Sequence, residues 1–224
     1  MNLNGTVGIV GVGMAGAACA HQLTRRGFNV TLYDKSRGHG GRLSTRYANL
    51  DSTVTFDHGA QYFTAREKPF RKRLAEWIGA GAAAEWDVAP AVIEDSDPRD
   101  YETDTSRYVG TPTMNQIVKH ETKNIDKKFE RKVTDLNRND SGWILQFEDA
   151  KPVHHDNLVL TAPPAQSANL LSEASPELST ELRSISMDPA WCLMLAFEDS
   201  VDVPFDAGFV NGGPLGWVAN NSSK

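Results

Sequence analysis

The chain has 224 residues, of which 40% are hydrophobic and 23% charged, and its net charge is −6. This composition is typical of a globular protein with one large or two small domains. The sequence has no apolar run long enough to span a bilayer, so we expect no membrane partner. Residues 1–50 carry six Lys or Arg against one acid, whereas the remainder is strongly acidic. An acidic remainder argues against nucleic acid as the partner.

The cysteines and the N-terminal residues predict a cytoplasmic protein. Cys19 and Cys192 form no C-x-x-C pair, so neither a redox dithiol nor a zinc site is expected. The default is therefore a reducing compartment. The first strand begins within the first ten residues with no charged-then-apolar leader before it, which argues against a secretory signal.

The first elements predict a nucleotide-binding unit. Residues 7–10 are mostly β-branched and predict a short buried strand, and the following run from Met14 to Arg26 predicts a helix that ends before Gly27. Residues 29–33 predict a second strand, with Asp34 at its carboxyl end. The turn between the first strand and the helix has the spacing G-x-G-x-x-G. Strand, turn, helix, strand and acid follow in the order of a dinucleotide-binding fold.

Each glycine of this turn has a separate physical role. Gly11 allows the tight turn, Gly13 lets a pyrophosphate approach the backbone, and Gly16 lets the helix lie close to the sheet. The helix start carries free N–H groups and roughly half a positive charge, which favour phosphate. Asp34 follows Gly11 at the distance where a carboxylate accepts from ribose hydroxyls.

A second glycine turn follows the acid directly. Residues 37–42 read Arg-Gly-His-Gly-Gly-Arg, so arginines flank the glycines. A flavin dinucleotide needs additional neutral backbone and a guanidinium partner for its pyrophosphate, whereas a nicotinamide-only enzyme has no evident need for this turn. Together the two glycine motifs resemble those of the flavin amine oxidase superfamily.

The stretch from Phe56 to Arg66 indicates a more specific family within this superfamily. It reads F-D-H-G-A-Q-Y-F-T-A-R, and the small pair Gly59-Ala60 would let the backbone approach a flat ring. The pattern F-D-x-G-A-Q-Y-F-T-A-R resembles the bacterial renalase-like family of FAD-dependent oxidoreductases. The resemblance implies that Gln61 and Tyr62 lie at the flavin.

Further elements are predicted from local patterns. We predict an amphipathic helix at 68–78, a solvated acidic loop at 94–104, and a turn with a short helix at 108–118. Residues 129–136 and 143–147 predict a hairpin. A buried strand is predicted at 158–160, ending in Thr161, and apolar strands are predicted at 191–197 and within 208–219. Neighbouring His154 and His155 would point to opposite faces of a strand, so no metal site is expected.

The resemblance implies an α/β fold with a doubly wound FAD-binding domain and an interleaved, mostly antiparallel substrate domain. The predicted FAD-binding domain comprises residues 1–66 and 107–172, and the substrate domain comprises residues 67–106 and 173–224. The predicted cofactor-binding residues are Gly11, Gly13, Met14, Ala15, Gly16, Asp34, Lys35, Arg37, Gly41, Arg42, Gly59, Ala60, Gln61, Tyr62, Val133 and Thr161. Val133 would meet the adenine side through its backbone, and the sequence identifies no catalytic acid or base.

Three functions are open at this point. The first is oxygen-dependent oxidation of dihydronicotinamide dinucleotide isomers by FAD, as in renalase-like enzymes. The second is flavin amine oxidation, and the third is a non-catalytic remnant that binds a nucleotide weakly or not at all. The resemblance covers essentially all 224 residues but family members continue further, so we expect the C-terminal third of the family's chain to be missing. A small-molecule substrate is the expected partner.

Overall fold

The computed structural model describes residues 5–50, 53–88, 90–95, 97–101 and 103–224. They divide into two compact units, the first formed by Met1–Leu43 and Val118–Trp191 and the second by Ser44–Ile117 and Cys192–Lys224. The strands are β1 (Thr6–Val10), β2 (Asn29–Tyr33), β3 (Thr45–Asn49), β4 (Thr53–Asp57), β5 (Ala83–Trp86), β6 (Ala91–Glu94), β7 (Asp97–Asp100), β8 (Arg107–Gly110), β9 (Asp126–Lys128), β10 (Val133–Asn139), β11 (Gly142–Phe147), β12 (Val153–His155), β13 (Asn157–Leu160), β14 (Ala207–Val210) and β15 (Trp217–Ala219). The helices are α1 (Met14–Arg25), α2 (Lys68–Gly79), α3 (Gln116–Glu121), α4 (Pro164–Leu171) and α5 (Pro176–Arg183).

The first unit is built on a parallel sheet with the strand order β13-β1-β2-β9. Buried Val7, Ile9 and Leu32 pack on one face against Ala17 and Ala20 of α1. The small side chains of these alanines keep the helix close to the strands. This sheet, with α1 connecting adjacent parallel strands, confirms the predicted α/β class.

A three-stranded antiparallel sheet, ordered β10-β11-β12, contributes a second core in the same unit. Tyr33 of β2 is buried there with Leu136, Leu145 and Leu171. The predicted hairpin is confirmed, although its first strand begins at Val133 rather than at residue 129. His155 is buried whereas His154 is exposed, which confirms that the two imidazoles point to opposite faces.

The second unit contains a four-stranded mixed sheet and two antiparallel pairs. The mixed sheet has the order β15-β14-β6-β7, and the pairs are β3-β4 and β5-β8. Helix α2 covers the range predicted as amphipathic and buries Leu74 and Trp77. Ile78, the last residue of the predicted helix, is exposed.

Two local predictions are wrong. Residues 191–197 form no strand, and Trp191 is fully exposed. An apolar run forms a strand only when its backbone groups find a pairing partner, and none pairs with these residues in the described part of the chain. The acidic stretch 94–104 is also not all loop, because β7 pairs antiparallel with β6.

The division into units differs from the predicted domain boundaries. Residues 44–66 and 107–117 pack in the second unit, and residues 173–191 pack in the first. A cofactor can be bound by residues from more than one compact unit, so the functional boundaries stay a prediction. Among the described residues, no helix is both long and apolar enough to cross a membrane.

Candidate functional site

The first glycine turn, at the carboxyl end of β1, tolerates no side chain at two of its positions. Gly11 has φ +115°, and its N–H donates to the Tyr33 carbonyl at 2.7 Å. A Cβ on Gly11 would lie 2.5 Å from Thr161 Oγ1, and a Cβ on Gly16 would lie 2.0 Å from the Gly11 carbonyl oxygen. The backbone therefore requires glycine at both positions.

Gly13 lies against the second glycine turn. It forms a parallel bridge with Gly40, and a Cβ on Gly13 would lie 3.6 Å from the Gly40 carbonyl oxygen. Gly41 has φ +56°, and a Cβ there would lie 3.3 Å from Gly13 Cα. Gly13 is also the N-cap of α1 and makes no side-chain cap, so the first N–H groups of the helix are available to an anion.

Asp34 holds the first turn in place. One carboxylate oxygen accepts from the Val12 N–H at 2.7 Å. The other accepts from the N–H of Ser36 at 2.8 Å and from its hydroxyl at 2.6 Å. A carboxylate oxygen has two acceptor sites, so these bonds leave room for a ribose hydroxyl.

The remaining predicted residues of the first unit lie around the ends of β1 and β2. Thr161 Oγ1 donates to the Val10 carbonyl at 3.0 Å, and Lys35 Nζ donates to Gln166 Oε1 at 3.1 Å. The N–H of Arg131 donates to the Asp34 carbonyl at 2.8 Å, two residues before the buried Val133. The predicted residues Met14, Ala15, Arg37 and Arg42 belong to the helix start and the second turn, where both guanidinium groups are exposed.

His39, within the second turn, was not predicted as a site residue. Its ring lies 4.8 Å from the Phe129 ring, and its buried Nε2 has no hydrogen-bond partner among the described residues. Burial lowers the pKa of His39 to about 4, with further lowering by Lys127 and Lys119 and an opposing effect of Asp34. The imidazole is therefore neutral at pH 7.

In the second unit, the predicted Gln61 lies in a polar cluster. Its side-chain amide nitrogen donates to the carbonyl of Asp57 and, at 3.3 Å, to that of Gly59, and its Oε1 accepts from Lys224 Nζ at 2.9 Å. Lys224 Nζ also lies 4.0 Å from an oxygen of buried Asp57 and 3.4 Å from Asn221 Oδ1. Burial lowers the pKa of Lys224, and Asp57 partly offsets this.

The predicted Tyr62 lies among aromatic rings and a buried arginine. Its ring centroid is 6.3 Å from that of Trp86 and 5.4 Å from that of Trp217. The guanidinium carbon of Arg107 lies 5.2 Å from the Tyr62 ring centroid, within cation–π range. Ala60, beside Gln61, is half-buried.

Sequence reasoning missed Arg107, Lys224 and Asp57. Arg107 begins β8 in the pair β5-β8, and Lys224 reaches Gln61 across 163 positions of sequence. Arg107 and Lys224 carry no local motif, whereas Asp57 lies within the motif at residues 56–66. For Arg107 the one available signal was its charge next to the apolar and aromatic residues of its strand.

Comparisons with known proteins agree with this geometry. Residues 9–77 match the family model of the NAD(P)-binding Rossmann-like domain. The chain contains a Rossmann-like dinucleotide-binding domain. A 59-residue stretch is 46% identical to carotenoid phi-ring synthase from Streptomyces griseus, a match that covers 25% of this chain and 11% of that protein.

Two solved structures have a fold similar to that of this chain. A candidate protoporphyrinogen oxidase from Exiguobacterium sp. 255-15 has a TM-score of 0.64 at 13% identity, covering 92% of this chain and 70% of that one. Wild-type putrescine oxidase with bound putrescine has a TM-score of 0.56 at 13% identity, covering 75% of this chain and 60% of that one. At this identity the likeness establishes the fold. The chain thus spans 60% of the putrescine oxidase and 11% of the synthase.

Proposed function

We propose that the protein is an FAD-dependent oxidoreductase that oxidises dihydronicotinamide dinucleotides, with oxygen as the electron acceptor. The observation that carries the FAD assignment is the meeting of the two glycine turns at Gly13 and Gly40. At this contact, two glycine-containing stretches of backbone lie next to the start of α1, which has no side-chain cap. A dinucleotide pyrophosphate needs such a surface, because its two phosphates require close-approaching N–H donors.

The residues present fit FAD. Gly11, Gly13, Met14, Ala15 and Gly16 would offer backbone to the pyrophosphate, while Arg37 and Arg42 would supply charge. Asp34 would hold the ribose, and Lys35, Val133 and Thr161 would border the adenosine half. FAD supplies two-electron chemistry by accepting a hydride equivalent from the substrate.

The resemblance to renalase-like proteins would put residues 59–62 at the flavin ring. Gly59, Ala60, Gln61 and Tyr62 form one continuous segment with small residues followed by an amide and an aromatic ring. Lys224 donates to Gln61 and fixes its amide, so this pair would orient a polar ring edge. The aromatic rings around Tyr62 would exclude water from the reacting centre.

A dihydropyridine substrate is compatible with the residues around Gln61 and Tyr62. It is a strong hydride donor and does not need a general base. Asp57, the carboxylate of the Gln61 cluster, accepts from Thr45 Oγ1 at 2.6 Å and from the N–H of Met114 at 3.0 Å. These bonds engage one carboxylate oxygen of Asp57 in the fold.

Amine oxidation is the second candidate, favoured by the fold shared with putrescine oxidase. An amine is protonated in water near pH 7, but it must be neutral to be oxidised. One cation, Arg107, lies over the Tyr62 ring and forms no ion pair among the described residues. It would repel a protonated amine as it approaches, which disfavours this candidate.

Anaerobic mixing of the FAD-loaded protein with substrates tests the proposal. We expect dihydronicotinamide dinucleotides, including isomers reduced at unusual ring carbons, to bleach the flavin absorbance, and oxygen to restore it. Bleaching by putrescine or benzylamine alone would replace the proposal with amine oxidation. FAD binding without bleaching by either class would leave nucleotide binding without catalysis as the function.

A further inference from the structure

Residues 220–224 pack against the end of β4 within the second unit. Asn221 makes two hydrogen bonds to the backbone of that strand. Its Oδ1 accepts from the N–H of Asp57 at 3.1 Å, and its Nδ2 donates to the Thr55 carbonyl at 2.9 Å. The segment is therefore attached to the strand that leads directly into the turn at Gly59.

Lys224 carries a buried charge with three polar neighbours in the same unit. Only 5% of its side chain is exposed. Its Nζ lies 2.9 Å from Gln61 Oε1, 3.4 Å from Asn221 Oδ1 and 4.0 Å from a carboxylate oxygen of Asp57. Burial removes the hydration of an ammonium group, and this loss is offset only where its donors and its charge find partners. These three side chains therefore specify the position of Lys224.

The contact with Lys224 determines the orientation of the Gln61 amide. An ammonium group has donors and no acceptor, so the oxygen of Gln61 must face Lys224 and its NH2 group must face away from it. On that side the NH2 group donates to the carbonyls of Asp57 and Gly59, the latter at 3.3 Å. The Gln61 side chain thus connects Lys224 to the backbone of its own turn, and it holds the backbone on either side of Gly59.

We propose that Lys224, acting through Gln61, is a positioning residue that holds the backbone at Gly59 and Ala60 in the conformation that receives the flavin ring. This inference rests on the proposed function and adds to it a residue far from the motif at 56–66. A turn without these bonds has to be ordered when the ring binds, and that ordering lowers the affinity. Lys224 therefore contributes to the affinity for FAD and not to the affinity for ADP, which has no flavin ring.

A buried lysine beside a carboxylate also stabilises the fold, so a lower melting temperature does not by itself identify a positioning role. Removing the ammonium group leaves Asp57 with two other donors, the Thr45 hydroxyl and the N–H of Met114. We therefore expect Lys224→Met to fold. The affinities of the folded variant for FAD and for ADP then separate positioning from stability.

Titration of the apoproteins with FAD and with ADP is the first test. Lys224→Met should bind FAD about tenfold or more weakly than the wild type, as loss of a charge-assisted hydrogen bond would give, and should bind ADP equally well. Lys224→Arg keeps the charge and the donors and should recover most of the FAD affinity. Exposed Ser222→Ala, in the same segment, is the matched control and should bind both ligands as the wild type does. Unchanged FAD affinity in Lys224→Met, or equal losses for FAD and ADP, would overturn the proposal.

The side-chain NH2 group of Gln61 reports its anchoring in the absence of any cofactor. In nitrogen–proton NMR spectra of the FAD-free protein, Gln61→Met identifies its signal by deletion. We expect this signal to move to the position of solvent-exposed amides in Lys224→Met and to stay in place in Ser222→Ala.

Failure of this inference differs from failure of the proposed function. If the wild type binds FAD but Lys224→Met leaves the Gln61 signal in place, the role of Lys224 alone is overturned. If the wild type does not bind FAD, the proposed function fails and the flavin-positioning role fails with it, whereas a shifted Gln61 signal would still support the hold of Lys224 on the turn.

Discussion

Gly13 lies where the two glycine turns meet, and its free Cα face is the space that a phosphate would occupy. A Cβ on Gly13 would make ordinary van der Waals contacts, at 3.6 Å from the Gly40 carbonyl oxygen and 3.8 Å from Gly41 Cα, so a Cβ there is compatible with folding. We expect Gly13→Val to fold and to lose FAD affinity by roughly a hundredfold or more, about 2.7 kcal/mol. Titration of the apoprotein with FAD measures this loss.

Gly38→Val provides the matched control within the second turn. A Cβ on Gly38 meets no atom within 4 Å, so this variant should bind FAD as the wild type does. Equal FAD affinity in Gly13→Val and the wild type would contradict the assigned pyrophosphate site. Loss of affinity in both variants would indicate a general disturbance of the turns.

His39 makes stability depend on pH. Its pKa is about 4 in the folded protein because the ring is buried, whereas an unfolded histidine titrates near 6.5. Between those values the unfolded chain binds more protons, so the free energy of unfolding falls as the pH decreases from about 6.5 to 4. His39→Gln should lose stability less steeply over this range.

Urea unfolding at several pH values between 7 and 4 measures the effect. His155, whose pKa burial also lowers, contributes a similar decline in both proteins, so the difference between them isolates His39. Exposed His154→Gln is the control and should follow the wild type. An identical pH dependence in His39→Gln and the wild type would contradict the assigned burial of the ring.

At the scale of elements, β12 packs over the middle of β1 through one close approach. A Cβ on Gly8 would lie 2.7 Å from Cδ2 of His155, whose Nε2 is 2.8 Å from the Tyr33 hydroxyl. We expect Gly8→Ala to cost roughly 1–3 kcal/mol of unfolding free energy through overpacking. Adding His155→Ala should make room, so the double variant should lose less than the sum of the single losses.

Gly79→Ala serves as the control for this cycle. Gly79 ends α2 with no atom within 4 Å of its Cβ position, so the change should be neutral or slightly stabilising. Additive losses in the cycle of Gly8 and His155 would contradict the packing of β12 on β1. Denaturant unfolding with wild-type m-values provides the measurement.

The segment of residues 191–197 exposes large apolar side chains outside any strand, including Trp191, Leu193 and Leu195. Exposed apolar surface of this kind promotes association. Replacing Leu193 and Leu195 together by lysine should lower light scattering and dye binding, with the free energy of unfolding changed by less than about 0.5 kcal/mol. Leu178→Lys, at an exposed position of α5, should change neither. A large loss of stability in the double variant would show that these leucines pack in the native protein.

For the whole molecule, the features that could be predicted from sequence are those that depend on residues close together in the chain. Gly11, Gly16 and Asp34 were predicted because their roles depend on neighbours within one strand–turn–helix unit. Arg107 and Lys224 were not, because their partners Tyr62 and Gln61 are distant in sequence. The prediction of a strand at residues 191–197 was wrong for the same reason, because apolar composition does not specify a pairing partner.

Hydrogen exchange on the whole chain can test which of the proposed cofactor-binding residues FAD covers. Binding slows exchange where it orders or covers backbone N–H groups. We expect saturating FAD to protect residues 11–16 and 34–42 of the first unit and residues 59–62 of the second. The turn at residues 139–142, between β10 and β11, is the internal control and should exchange at the same rate with and without FAD. Protection confined to the first unit would mean that only the adenosine diphosphate half is bound, and would contradict the placement of the flavin ring at Gln61 and Tyr62.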